Sequence, residues 1–271
     1  MPASPTSITT PASLAQCSAL LRDIDGHVSL RDDIQTLLVN GDAVIVKPLR
    51  AARKSCLATL AMRMACRLIF KASLDTAAIR RRSPGYEADR LRGLRRLGWP
   101  VTTVYLETRR YMVMQHCGPS VETLLKRMAP TPRLALLQRI TDDLADFHGT
   151  GQWHGGAQLR NLTLQDDVLY RIDFEEPIGD AVPLPLAQAF DVALYLASAS
   201  DLLGPDGGDG AALLTRYLDA APRSEVIGYL QRLRRVVTGA AWALARTRGS
   251  RRQTAEVRRV HALSRMLAQA L

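Results

Sequence analysis

Lysine is scarce in this chain: Lys47, Lys54, Lys71 and Lys126 are the four among 36 basic residues. Arginine carries almost all the positive charge, a skew that genome base composition can produce. The net charge of +10 therefore says less about a polyanionic partner than it would in a lysine-rich chain. Cysteine is also sparse. Cys17, Cys56, Cys66 and Cys117 form no CxxC pair and no Cys/His zinc spacing, which argues against a disulfide framework and a structural zinc site. No apolar run approaches the roughly 20 residues that span a bilayer. The opening MPASPTSITTPAS lacks the basic region and apolar core of a secretory signal and reads as a disordered tail over 1–13. These absences point to a cytoplasmic protein. Aromatic residues make up 5% of the chain and none is interleaved with the arginine clusters, against a single-stranded nucleic-acid surface.

What is present is enough to build a core: 271 residues, 47% of them hydrophobic. A helix is expected at Leu14–Ile24, then strands at HVSL, QTLLV and AVIVK within His27–Lys47. Asn40-Gly41-Asp42 gives the last two a hairpin turn. From Ala51 to about Ser73 the spacing turns helical, with Leu57, Leu60, Met64 and Leu68 on one side and Arg63, Arg67 and Lys71 on another. A second helix is expected over Tyr86–Leu97, ending at Gly98 and Pro100. Strands VTTVYLE and YMVMQH follow, before Gly118-Pro119 breaks the pattern. Beyond it, helices are expected at Ser120–Met128, Arg133–His148, Leu186–Leu203 and Ala211–Leu218, with two more from Ser224 onward. The expected class is α+β with two lobes: a β-rich N-lobe over 14–117 and a helical C-lobe over 118–271.

One stretch, 153–176, carries most of the chemistry: WHGGAQLRNLTLQDDVLYRIDFEE. A kinase catalytic loop reads H-x-D-x-x-x-x-N, and an Asp follows about a dozen residues later. His154 and Asn161 stand at that spacing, and Asp173 follows a hairpin-like LTLQDDVLYRI. A carboxylate and an amide carbonyl are the hard oxygen donors that Mg²⁺ prefers. The position of the catalytic base holds Gly156.

The ordered series VIVK, YEADRLRGLRRLG, YMVMQHCGPSVETLL, HGGAQLRN, RIDFEE and FDVALYL resembles the protein-kinase-like superfamily over about residues 27–203. Its nearest style is that of compact bacterial members: lipopolysaccharide-core kinases, aminoglycoside and choline-type phosphotransferases, and RIO and KEOPS-type kinases. The resemblance implies a two-lobed fold that binds ATP with Mg²⁺. It gives Lys47 the α- and β-phosphates, Glu87 the partnering acid, and the stretch from Met114 through His116 to Gly118 the adenine-binding hinge. Asn161 and Asp173 become the metal pair. His154 and Asp191 become braces of the loop, while Gln158 orients a nucleophile and Arg160 supports a phosphate. Each has a plainer alternative. Lys47 can be a solvated strand-end lysine, and Glu87 can complement a helix dipole, with Asp89 as a second candidate partner. Asn161 can serve a turn and Asp173 a strand end.

Two departures stand out. Gly156 removes the general base, worth a factor of about 10²–10⁴. The loop Leu30–Ile34 reads RDDI-like, with no glycine to admit phosphates to the backbone. The expected function is an atypical phosphotransferase acting on a hydroxyl of a lipid-linked sugar, small molecule or protein. The alternative is a pseudokinase acting as a nucleotide-responsive module; a nucleic-acid-binding protein comes third. Arg63, Arg67 and Lys71 make an anionic membrane surface a candidate partner, hence a peripheral location at the inner face.

Overall fold

The computed structural model describes residues 34–39, 42–49, 62–80, 85–204, 206–220, 224–246 and 254–271. The expected helix Leu14–Ile24, the strand HVSL, most of the Leu30–Ile34 loop and the Asn40-Gly41 pair lie outside them. In chain order the strands are β1 (Gln35–Val39), β2 (Asp42–Pro48), β3 (Val104–Glu107), β4 (Tyr111–Gln115), β5 (Leu162–Gln165) and β6 (Val168–Arg171). The helices are α1 (62–70), α2 (Thr76–Arg80), α3 (Tyr86–Arg96), α4 (Val121–Arg127), α5 (Pro130–Gly149), α6 (Ile178–Ala181), α7 (Leu184–Ala199), α8 (Gly208–Ala220), α9 (Ser224–Arg246) and α10 (Ala255–Ala270). The protein is α+β, with a small antiparallel sheet early in the chain and helices after it. Among the described residues no helix is long and apolar enough to cross a membrane.

The chain divides into two compact units, Met1–Ala51 with Pro84–His116, and Ala52–Ser83 with Cys117–Leu271. In the first, four antiparallel strands run in the order β1-β2-β4-β3. Val44 and Val46 of β2 and Tyr111 and Val113 of β4 form one buried cluster. The period of two then puts Lys47 on the opposite face, in register with Met112. β3 is shorter than the expected VTTVYLE. Its register shifts between Val104 and Leu106, and Thr102 and Thr103 donate hydroxyl bonds to the Gln115 backbone carbonyl and side chain, each 2.7 Å.

The second unit gathers its core from α4, α5, β5, α7, α8, α9 and α10, with Leu137, Leu159, Leu196, Leu214 and Leu230 almost wholly buried. The sequence places all of 14–117 in the first lobe; in the structure the described residues 62–80 belong to the second unit. Phe70 explains the difference. Its ring makes an edge contact with Phe190 at 5.3 Å, and its carbonyl accepts from Arg232 Nη1 at 2.8 Å. Farther on, Asp75 N–H donates to the Ala181 carbonyl at 2.7 Å. On α1 the apolar side expected from the spacing includes Met64 and Leu68. Both are exposed, and Cys66 and Phe70 are the buried residues instead. Cys66 and Cys117 are buried and form no disulfide among the described residues.

Candidate functional site

The hairpin β5–β6 sets the geometry of the 153–176 stretch. Its strands pair in the register Leu162↔Arg171 to Gln165↔Val168, leaving Asp166 and Asp167 as a two-residue turn. Both turn residues have positive φ, 49° and 61°, the conformation that a tight hairpin requires and Asp tolerates. Extending the register one step puts Asn161 opposite Ile172, whose N–H donates to the Asn161 carbonyl at 3.0 Å. Asp173 is the next residue. The sequence spacing is therefore the arithmetic of a hairpin, and it brings Asn161 and Asp173 to the same open end.

Each of the pair is held in a specific state. Asn161 Nδ2 donates to the Gly156 carbonyl at 2.8 Å, so Oδ1 is the side-chain atom left to accept or to ligate. Asp173 adopts φ +67°, a left-handed conformation that non-glycine residues rarely hold without a reason. The next residue supplies part of it. Phe174 is buried, stacked on the His154 ring at 4.2 Å and edge-on to Phe147 at 6.4 Å. The phenyl ring is fixed in the core, and the chain turns sharply to leave it there.

The loop before Asn161 is braced by Asp191 on α7, which is completely buried. Its carboxylate accepts from the His154 N–H at 2.6 Å and the Gly155 N–H at 2.8 Å. Two charge-assisted bonds make that burial tolerable. His148 Nε2 stands 3.4 Å from the same carboxylate, and its Nδ1 lies 2.8 Å from the Tyr217 hydroxyl on α8. Gln188, also on α7, donates to the carbonyls of His148 and Gln152, both at 2.9 Å. Burial pulls the His154 imidazole down to about 4; the Asp191 carboxylate opposes this without cancelling it. The ring is neutral at pH 7, and its Nδ1 accepts from the Gly156 N–H at 3.1 Å. His154 is thus tied into the loop through the Gly156 N–H and stacked on Phe174.

Arg171 lies beneath the hairpin with only 1% of its surface exposed. Its guanidinium packs on the Phe147 ring at 4.3 Å and donates to the Asp143 carbonyl at 2.9 Å and to the Asp143 carboxylate. Burial lowers the Arg171 pKa and raises that of Asp143. Sequence reasoning passed over Arg171, Phe174, His148, Gln188 and Tyr217. A signal existed for two of them. In VLYRI, Arg171 falls in the inward phase set by Leu169, and Phe174 directly follows Asp173 as in the D-F-G signature.

Gln158 precedes the short helical turn Leu159–Asn161 and is half-buried, and Arg160 lies within that turn and is exposed. Neither side chain bonds to another described residue. Gly156 is not demanded by the backbone. A Cβ there would lie 3.3 Å from Asn161 Nδ2 and farther from everything else, whereas Gly155 has φ +85° and a Cβ would meet the Glu176 carbonyl at 2.8 Å.

In the first unit, Lys47 Nζ lies 2.7 Å from Glu87 Oε2, with side chains 13% and 5% exposed. The expected ion pair is present, and Asp89 is not its acid; Asp89 is exposed and meets Arg92 at 3.4 Å. A paired lysine at this depth is not a solvated strand end. Met114 lies within central strand β4, paired with both Ile45 and Val104, and His116 follows the strand's end.

No protein-family model and no curated relative matches the chain.

Proposed function

We propose that this protein binds a nucleoside triphosphate with Mg²⁺ and is an atypical kinase-like phosphotransferase. The observation that carries the reading is the open end of the β5–β6 hairpin. There Asn161, whose loop is braced by a buried Asp, shares one end of the hairpin with Asp173, which has a left-handed backbone. These donors fit a small hard cation. When bound, Mg²⁺ and ATP supply a neutralised triphosphate with an electrophilic terminal phosphorus. Asn161 Oδ1 and the Asp173 carboxylate would hold the cation. Lys47, oriented by Glu87, would offer its ammonium to phosphate oxygens. The hydroxyl of an acceptor would bond to that phosphorus as the bond to the ADP oxygen breaks, and its proton would leave to solvent.

The second reading, a nucleotide-responsive pseudokinase, rests on Gly156. No carboxylate stands at that position to take the proton, and transfer loses the general-base factor.

Titration calorimetry with ATP tests the shared premise. We expect binding that requires Mg²⁺ and is lost in Asp173→Ala and Asn161→Ala, and binding weakened with or without metal in Lys47→Met. Affinity unchanged by chelation and by both metal-pair substitutions would remove the premise. Phosphate release under saturating ATP then separates the two readings.

A further inference from the structure

Helix α1 presents to solvent a face that a soluble helix ordinarily fills with polar residues. Cys66 and Phe70 anchor its other side through the Phe190 and Tyr229 rings, 5.3 and 6.5 Å from Phe70. Leu68 is two residues from each anchor, so at about 100° per residue it points away from both. It is 70% exposed, Met64 one turn earlier is 48% exposed, and Ile69 is 37% exposed. Beside this stripe run Arg63, Arg67 and Lys71, all exposed, and none pairs with another described residue. Residues 62–74 contain no acid. The last turn is a π turn, closed by Lys71 in a left-handed conformation with φ 50°. Within 62–74 the apolar stripe is thus flanked by positive charge and no acid, on a helix whose opposite side is fixed to the protein.

We propose that α1 docks the protein on an anionic phospholipid surface. Met64, Leu68 and Ile69 would enter the headgroup boundary, and the two arginines and Lys71 would reach lipid phosphates with their long stems along the same boundary. A lone basic row would fit any polyanion. The exposed aliphatic row selects a partner that is both apolar and anionic, and a bilayer interface has both properties in the same layer. The attachment is peripheral. The sequence upstream continues the same spacing at Leu57 and Leu60, which lie outside the described residues.

Flotation of the full chain with extruded vesicles tests this, using phosphatidylcholine alone or mixed with phosphatidylglycerol, at low and high salt. Binding is expected to the anionic vesicles only and to fall with salt. Each charge removed should weaken partitioning about five-fold, so the triple variant Arg63→Gln/Arg67→Gln/Lys71→Gln should lose about a hundred-fold. Met64→Ser/Leu68→Ser should lose at least about ten-fold at low salt, whereas Leu68→Met should bind like the parent. All these side chains are exposed, and circular dichroism checks that each variant is folded. Three results would overturn the proposal: no binding to either vesicle, equal binding by the serine variant, or a dimer of the parent chain that Leu68→Ser dissociates.

Discussion

Removing the Asp191 carboxylate tests the idea that a single buried acid holds the 153–161 loop. In Asp191→Ala the His154 and Gly155 amides lose acceptors at 2.6 and 2.8 Å. The site is fully buried, so water does not readily replace them. Each stranded amide costs about 1–3 kcal/mol, and the two together about 4 kcal/mol. For a chain of this size that lowers the melting temperature by on the order of 10 °C. Asp191→Asn keeps the shape and one oxygen but faces the second amide with an NH₂ group, so about half that loss is expected. Thermal melts followed by far-UV circular dichroism give the global effect. Hydrogen exchange at the two amides gives the local one and should accelerate before the core opens. A melting temperature for Asp191→Ala within about 2 °C of the parent, with slow exchange retained at both amides, would refute the account.

Acid should weaken the same region. His154 binds its proton at about 4 when folded and near 6.5 when unfolded, so the unfolded chain holds more protons between those values. Its contribution is whole above about pH 6.5 and fades as pH falls toward 4, up to about 3 kcal/mol; denaturant midpoints across that window should show the decline, and His154→Gln should flatten it. Gly155→Ala should cost about 2–4 kcal/mol, from its φ of +85° and the Glu176 carbonyl 2.8 Å from the added methyl, while Gly156→Ala should stay within about 1 kcal/mol. Gly156→Asp should raise transfer or ATP hydrolysis by one or more powers of ten; an ordinary native rate that this substitution slows would exclude a simple missing base. Asp143→Ala should cost about 3–5 kcal/mol by leaving the buried Arg171 guanidinium without its carboxylate, as urea unfolding would measure.

The parts of the site that were legible in the sequence are those set by short-range geometry. The resemblance pointed to Lys47 at the end of the strand AVIVK and to Glu87 at the start of the next helix, and the two form an ion pair. Asn161 and Asp173 follow from a hairpin of two four-residue strands and a two-residue turn. Periodicity reports which residues share a face, but not which way that face points. In α1 the direction is decided by Phe190 and Tyr229, more than a hundred residues away: Phe70 faces them, and the side with Met64 and Leu68 lies outward. The helix expected from Arg133 starts three residues earlier, at Pro130. Proline at the first helical position lacks only an N–H that has no helical acceptor there, so the helix begins at Pro130. The brace from Tyr217 through His148 to Asp191 joins three helices, and no local pattern in the sequence announces it.

The adjacent glycines separate geometry from chemistry. Gly155 is required, because its backbone is left-handed and its α-carbon faces the Glu176 carbonyl and the Trp153 ring. Gly156 meets neither condition, and the space beside it opens toward Asn161 Nδ2 rather than toward backbone. The Cβ of a carboxylate residue there would press on that side-chain nitrogen, which would have to give slightly, and on no backbone atom. The absence of a carboxylate is therefore not the consequence of a fold that excludes side chains there. The loop keeps the features that hold it in place, which are the Asp191 bonds, the neutral His154 and the Asn161 tie to the Gly156 carbonyl. It lacks only the group that would move a proton. Under the proposed function this loop positions the ligand, and the two proposed readings differ in whether positioning alone is enough for transfer. Phosphoryl transfer depends mainly on alignment and charge neutralisation, which makes slow transfer without a base physically reasonable.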